Sequence, residues 1–398
     1  MSDRLDAEID AANKLTRAMI SEYEAWDSKI KIGEAQFSVY NDLLDFVNMR
    51  LETVESCLLL IDNQKIADAL GLSRSLLENY LLFILMCRGK KFSQLRNMTS
   101  LKESEFKAFL LKERGKYAAL RMAGETQIVD VMKAPRIARH LMYVVEGFKM
   151  EGEPSLILPP HYFRFRDFHP ETMRLNEEDY FQYYKPEAEL AKVLKGHQIE
   201  TALSYKFYLS YDGLLEFLQL NEIIDESVVA RIEAHYTFLG KFLHPTHDAA
   251  RALHVDSNVH YGDIRVGMRQ PYDRSAVLLA SIYLCYLTAS FLDEAAGLIE
   301  GAPAKYISQS GTDELRALTR SVPQRFPYFW FLFNEPPLYD RFNYCAHHAT
   351  DDELREWGGY AGVPLNLVPS NQHIYSNFQE ALGGWSNTHS VYVSPLRE

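Results

Sequence analysis

Apolar residues recur at helical spacing through most of the first 300 positions, and this pattern restricts the chain to a mainly α fold. Near the N-terminus, residues three or four apart line one face of a helix: Leu5, Ile9, Ala12, Leu15, Met19, Tyr23, Trp26 and Ile30. The spacing predicts one long amphipathic helix over 3–31. Because its apolar stripe needs a covering surface, we expect a homo-oligomer formed through this helix.

The same periodicity predicts a multi-helix bundle over residues 1–300. Further helices are predicted at 36–62, 65–88, 101–123, 128–149, 176–195, 198–220, 226–243, 247–257 and 272–299. A proline-rich segment at 151–175 interrupts them and is expected to be an ordered loop insertion. It separates the N-terminal helices of the core, 1–150, from its C-terminal helices, 176–300.

Residues 301–398 differ in composition from the helical core. Proline and glycine become frequent after Gly301, so we expect an aromatic-rich region of mixed structure with many loops. Helices are predicted near 312–320, 351–358 and 371–382, and a short strand at 389–393. The dense run FPYFWFLF, residues 326–333, is interpreted as core rather than as a partner surface.

Composition excludes several classes of protein. A hydrophobic content of 47% is too high for a disordered chain, and the four cysteines form no C-x-x-C pair, which favours a reducing compartment. The polar, acidic N-terminus does not resemble a signal peptide. The uncharged stretch 276–292 is short for a bilayer and is bracketed by charges, so it is interpreted as a buried helix. We therefore expect a soluble cytoplasmic protein with no membrane partner.

Charge is distributed unevenly along the chain. The formal net charge is -12, yet residues 88–139 hold 13 Lys and Arg against five Asp and Glu. Such a basic segment has two interpretations: a patch that contacts RNA phosphates, or a solvated helical face that pairs with the acidic remainder. RNA is therefore one possible partner.

Charged and polar residues interrupt three apolar helical segments, and burying an unpaired charge is costly. Arg74 and Glu78 stand four apart on one face of the first segment, and Lys241 and His244 end the third. These four residues are the candidate catalytic set, with His244 as a possible general acid or base. The polar residues around them are candidates for substrate binding: Tyr205, Ser210 and Tyr236.

A histidine cluster permits a metal interpretation of the same region. The cluster contains His244, His247, His254 and His260. Its spacing fits no familiar zinc pattern, so no metal or other cofactor is expected, and a metal-dependent hydrolase is the third functional hypothesis.

Three segments, SRSLLENYLLFIL, YKFYLS and YTFLGKFLHPTH, together resemble a group of bacterial helical proteins similar to the HEPN-type domains of abortive-infection and toxin proteins. The resemblance covers about residues 70–298 and implies a shared polar centre at Arg74, Glu78, Lys241 and His244. It also implies a role in antiviral defence or stress. Active HEPN ribonucleases carry an arginine five to seven positions before the histidine, where this chain has Thr237, Phe238 and Leu239.

Two other functional hypotheses rank ahead of the metal-dependent hydrolase. The first is a helical defence or stress protein whose polar centre is structural or binds a ligand, and which acts through assembly. The second is a HEPN-like ribonuclease that uses His244, with Arg74 or Lys241 on the scissile phosphate. If the protein is an enzyme, RNA cleavage is the reaction that the sequence favours.

Overall fold

We describe the protein from a computed structural model, which covers residues 2–27, 39–88, 211–243, 247–254, 271–302, 304, 311–386 and 390–396, with the pairs 168–169 and 174–175 and the positions 104, 105, 108 and 112. Seven helices of this part precede residue 301: α1 (Ser2–Asp27), α2 (Val39–Asp62), α3 (Ile66–Arg88), α4 (Tyr211–Leu220), α5 (Glu226–Leu243), α6 (His247–Ala252) and α7 (Arg274–Glu300). Four follow it: α8 (Asp313–Arg325), α9 (Leu338–His348), α10 (Asp351–Glu356) and α11 (Ile374–Ala381). The predicted mainly α fold is confirmed.

Each strand of the described chain is two residues long, and the strands form two separate antiparallel pairs. Strand β1 (Phe168–His169) pairs antiparallel with β2 (Arg174–Leu175), inside the segment predicted as a loop insertion. Strand β3 (Trp385–Ser386) pairs antiparallel with β4 (Val391–Tyr392), which confirms the strand predicted near the C-terminus. The helices predicted at 101–123, 128–149 and 176–195 lie outside the described residues, apart from four isolated positions.

Helix α7 is the centre of the bundle. Helices α1, α2, α3, α8 and α11 all pack against it, so apolar residues on every side of α7 are buried. Asp273 caps its N-terminus by accepting a hydrogen bond from the Ser275 backbone N–H at 2.7 Å. The hydroxyls of Thr288 and Ser290 donate to carbonyls of the preceding turn, so these polar side chains do not need outside partners.

Two helices of the described chain, α3 and α7, are long and apolar enough to cross a membrane. The most apolar window of α7 is 94% buried inside the protein and that of α3 is 56% buried. The interpretation of 276–292 as a buried core helix is therefore confirmed. The apolar surface of α7 is thus covered by other parts of the protein. The four cysteines are free thiols, as expected.

The apolar stripe of α1 is buried within the same chain. Met19 and Tyr23 are at most 1% exposed, and α1 packs along α7 and α8. The stripe thus has the covering surface that its pattern required. Assembly of two copies through α1 stays a prediction. Because the apolar stripe is buried within one chain, the stripe is not an argument for that assembly.

A buried carboxylate fixes α1 to α8. The Glu8 side chain is 10% exposed and accepts hydrogen bonds from Arg325 Nη1 at 2.9 Å and from the Tyr328 hydroxyl at 2.7 Å. Because both carboxylate oxygens are used, the charge of Glu8 is well compensated. This contact joins segments more than 300 positions apart in the chain.

The aromatic run 326–333 belongs to the main core, as predicted. Phe326, Phe329 and Phe331 are at most 3% exposed and pack in the same cluster as the residues of α7, whereas Phe333 is 50% exposed.

Helix α9 was not predicted: the sequence analysis placed no helix in 338–348. Pro337 directly precedes it, and a proline suits the start of a helix as well as its end.

A second buried carboxyl lies in the first turn of α9. Asp340 is 7% exposed, and its Oδ1 accepts a hydrogen bond from Asn377 of α11 at 3.0 Å. Its Oδ2 is buried and has no hydrogen-bond partner. Burial raises the pKa of Asp340 to about 6.

Substituting Glu8→Gln removes the charge of the buried carboxylate and replaces one of the two oxygens that Arg325 and Tyr328 use with an NH2 group, which cannot accept their hydrogen bonds. We expect the free energy of unfolding to fall by about 2 kcal/mol, the usual value of a hydrogen bond to a charged group. Asp62→Asn is the matched control, because the Asp62–Arg17 pair is about half exposed on both sides and contributes at most about 1 kcal/mol. Urea unfolding measures both, and equal losses would contradict the assigned role of Glu8.

Asp340→Asn tests the raised carboxyl pKa. Between the ordinary value of 3.8 and about 6, the folded protein keeps a proton that the unfolded chain has released, so wild-type stability falls as pH rises through this window. The amide of the variant does not titrate, so the stability of the variant does not fall through this pH window. Its free energy of unfolding relative to wild type should therefore rise from pH 4 to pH 7, by roughly 3 kcal/mol. Asp352→Asn, at an exposed carboxylate of α10, should show no such trend in the same urea titrations.

Candidate functional site

The predicted polar centre forms where α3 packs on α5. Arg74 of α3 donates a hydrogen bond from Nη2 to the hydroxyl of Tyr236 on α5. The guanidinium carbon also lies 4.2 Å from the centroid of the Tyr236 ring, within the range of a cation–π contact. Tyr236 therefore holds Arg74 both by its hydroxyl and by its ring. The two residues are 162 positions apart in the sequence.

Arg74 is poorly compensated by carboxylate. Its side chain is 13% exposed, and the contact with Glu78 Oε1, one turn along α3, is 3.5 Å long. Glu78 is 41% exposed, so water screens much of its charge. Within the described chain Arg74 uses only Nη2 for hydrogen bonds, and its Nε is buried without a partner. A guanidinium this buried normally has a carboxylate or phosphate against its fork.

Two glycines bring α3 and α5 close together at this point. A Cβ atom built on Gly71 would lie 3.4 Å from the Phe242 carbonyl oxygen. A Cβ built on Gly240 would lie 3.8 Å from Cδ and Nη1 of Arg74. These are ordinary van der Waals distances, so the backbones of the two helices approach each other to within about one side-chain atom at this point.

Tyr211 extends the centre towards α4. Its ring stacks on Tyr236 with centroids 3.6 Å apart and an angle of 11° between the ring planes. Burial raises the pKa of both hydroxyls, so both tyrosines stay protonated at neutral pH. The Tyr211 hydroxyl is buried and has no hydrogen-bond partner, in contrast to that of Tyr236.

The other predicted site residues are only partly placed. Lys241 lies exposed in the last turn of α5, just after Gly240. His244, Tyr205 and Ser210 lie outside the described residues. The structure thus brings together Arg74, Glu78 and Tyr236 of the predicted centre and adds Tyr211, which the sequence analysis did not select.

The histidine cluster is described in part. The His254 ring stacks on Tyr272 with centroids 4.3 Å apart, and its Nδ1 lies 3.3 Å from the Pro271 carbonyl oxygen. His247 begins α6, while His244 and His260 lie outside the described residues. Among the described residues no three His, Cys, Asp or Glu side chains are grouped to hold a metal ion. The metal-dependent hydrolase stays a prediction.

A buried histidine was missed by the sequence analysis. His235 of α5 is 1% exposed, and its Nδ1 lies 2.6 Å from the Tyr283 hydroxyl of α7. Desolvation lowers the pKa of His235 to about 3, so its ring is neutral. Apolar residues three before it and three and four after it, Ile232, Phe238 and Leu239, were the available signal for its burial.

The structure also contains a cleft of about 750 Å³ that no sequence feature indicated. Its described lining comes from the second half of α3, the middle of α7, the second half of α8 and residues 327–341. Four prolines form much of its wall, Pro323, Pro327, Pro336 and Pro337, and we call it the proline cleft. Its volume lies in the range of small-molecule sites.

Comparisons of the chain with protein-family models, with curated proteins and with solved structures found no match. The similarity to HEPN-type domains stays a prediction made from three short segments. Functional interpretation therefore depends on the contacts of the described residues.

The two stacked tyrosines give a matched test of the centre. Tyr236→Phe removes the hydroxyl that accepts from Arg74, so we expect the free energy of unfolding to fall by about 1.5 kcal/mol. Tyr211→Phe removes a buried hydroxyl without a partner, so it should be neutral or stabilising. Urea unfolding of both variants measures the difference. A loss as large in Tyr211→Phe as in Tyr236→Phe would contradict the assigned hydrogen bonding.

Proposed function

We propose that this chain is a helical binding protein of a defence or stress system, and that its Arg74 centre binds a small anionic group such as phosphate. Lys241 and His244 complete the ligand site from the end of α5. The protein acts through assembly of copies, with α1 at the contact. The setting in defence or stress is taken from the resemblance to HEPN-type proteins.

The incomplete compensation of Arg74 is the observation that supports this proposal. A buried guanidinium with one long carboxylate contact is costly to keep unless a further anion pairs with it. Nη1 makes no hydrogen bond within the described chain and is the donor best placed to receive that anion. The buried pairs elsewhere in the protein, such as Glu8 with Arg325, have both carboxylate oxygens occupied.

Inorganic phosphate is the first probe, with thermal unfolding as the readout. A ligand that binds the folded state raises the melting temperature. We expect phosphate to raise it more than chloride at equal ionic strength, and Arg74→Gln to abolish the difference. Glu78→Gln should strengthen phosphate binding, because it removes the negative charge beside the arginine.

The control is Arg17→Gln, which removes an exposed arginine of α1 that pairs with Asp62 and should leave the phosphate effect unchanged. Circular dichroism checks that each variant is folded. If Glu78→Gln only destabilises the protein and no variant alters the response to phosphate, Arg74 and Glu78 form a structural pair and the proposal is wrong.

A HEPN-like ribonuclease is the second candidate, and the position of the Arg74 centre favours it over other enzymes. Tyr236 and Gly240 of α5 lie against Arg74, and His244 follows the end of α5 by one residue. The test is degradation of total cellular RNA by the purified protein with and without EDTA. Cleavage lost in folded Arg74→Ala and His244→Ala variants would support the nuclease, and EDTA sensitivity would point to the metal-dependent alternative.

A further inference from the structure

The proline cleft has an apolar interior with a polar end. Tyr80 and Phe331 are buried in its wall, at most 3% exposed, and Phe333 meets Tyr80 edge to face with centroids 6.4 Å apart. The buried prolines Pro336 and Pro337 continue this surface. At the polar end the last residue of α3, Arg88, meets Glu294 of α7.

Two large apolar side chains lie unburied at the cleft. Phe333 is 50% exposed and Leu338 is 48% exposed, although both line a concave surface. Exposed apolar area of this kind costs free energy in proportion to the area left in water. A ligand with an apolar body would remove this area from water, and concave apolar surfaces are the usual place for such ligands.

The charges that line the cleft are paired, with one exception. Arg88 is bound in bidentate fashion by Glu294, and Arg341 is 3.0 Å from Glu335. The remaining carboxylate, Asp293, is 2.7 Å from Arg316 of α8.

Arg320 of α8 is the exception. It is exposed at the cleft and makes no ion pair or hydrogen bond with any residue of the described chain, although its charge acts on Glu300 at longer range. Arg320 therefore presents to the cleft a guanidinium that no carboxylate of the described chain contacts. Arg88 adds a second donor, because its Nη1 is not used by Glu294.

We propose that the proline cleft binds a small amphipathic carboxylate. The guanidinium of Arg320 pairs with the carboxylate, and Arg88 Nη1 donates to it. The apolar body of the ligand covers Phe333 and Leu338. Fork-shaped guanidinium donors favour carboxylates, and the apolar wall excludes simple inorganic anions as the preferred ligand. The site is separate from the Arg74 centre, so either can fail without the other.

Phenylbutyrate is the probe, since it joins an aromatic body to one carboxylate. Isothermal titration of the full chain compares it with phenylbutylamine, which has the same body and a positive charge, and with acetate, which has the carboxylate alone. We expect phenylbutyrate to bind at least about tenfold more tightly than either, because each control lacks one of the two matched interactions.

Variants assign the binding to the cleft. Arg320→Gln should weaken phenylbutyrate about tenfold and should not weaken phenylbutylamine, whose positive charge the arginine repels, whereas the control Arg355→Gln, at an exposed arginine of α10, should change neither. Phe333→Ser should weaken phenylbutyrate, whereas Leu59→Ser, at an exposed apolar residue of α2, should not.

Three results would overturn the proposal. One is the absence of phenylbutyrate binding to the wild-type protein. Another is equal affinity for the amine, which would mean that the charge of Arg320 has no role. The third is equal weakening by Arg320→Gln and Arg355→Gln, which would place the effect in the net charge of the protein and not in the cleft. Circular dichroism of each variant separates loss of binding from loss of fold.

Discussion

The burial of α7 on all sides is the constraint on which the rest of the described structure depends. A helix that is apolar all round is stable in water only when other elements cover each face, and α1, α2, α3, α8 and α11 do so. Most polar side chains on α7 are then paired inside the protein, although the buried Ser281 hydroxyl has no hydrogen-bond partner in the described chain. Asp273 caps its first turn and Arg88 neutralises Glu294 near its end. Arg88 is the last residue of α3, so this ion pair joins the end of α3 to α7.

The way in which charges are paired separates structural contacts from candidate sites. Glu8 and Glu294 are buried carboxylates whose oxygens are all used, so each joins two distant segments without leaving an unmet charge. Arg74 and Arg320 differ from them. Among the described residues, Arg74 is buried with one long carboxylate contact, and Arg320 faces a cleft and has no carboxylate contact. Positive charge that lacks a partner in the chain is what an anionic ligand requires.

Helix α3 takes part in both candidate sites. Arg74, in its first half, faces α5, whereas Tyr80 and Arg88, further along, line the proline cleft. Arg74 and Arg88 are 14 residues apart, or about 21 Å along a helix at 1.5 Å per residue. The two sites are therefore separate in space, and variants of one do not remove contacts of the other.

Local pattern alone determined most of the described helices. Apolar spacing predicted 226–243 and 65–88, and the structure has Glu226–Leu243 and Ile66–Arg88, because periodicity and end signals are properties of neighbouring residues. The same reasoning missed α9, although Tyr339, Phe342 and Cys345 recur there at spacings of three, because the segment follows two prolines and is rich in charged and histidine residues. The sequence also singled out Arg74, Glu78 and Tyr236, since charge in an apolar run needs a partner.

Only the tertiary structure decided which residues meet. Packing of α3 on α5 placed Arg74 on the Tyr236 ring, and stacking added Tyr211. The proline cleft is lined by residues from Tyr80 to Arg341, so no local pattern could have indicated it. The packing of α5 buries His235 in the core, where its ring is neutral, and leaves Lys241 of the same helix exposed. The spacing of apolar residues specifies whether a segment forms a helix. Contacts between distant segments depend instead on how the apolar faces of those helices pack together.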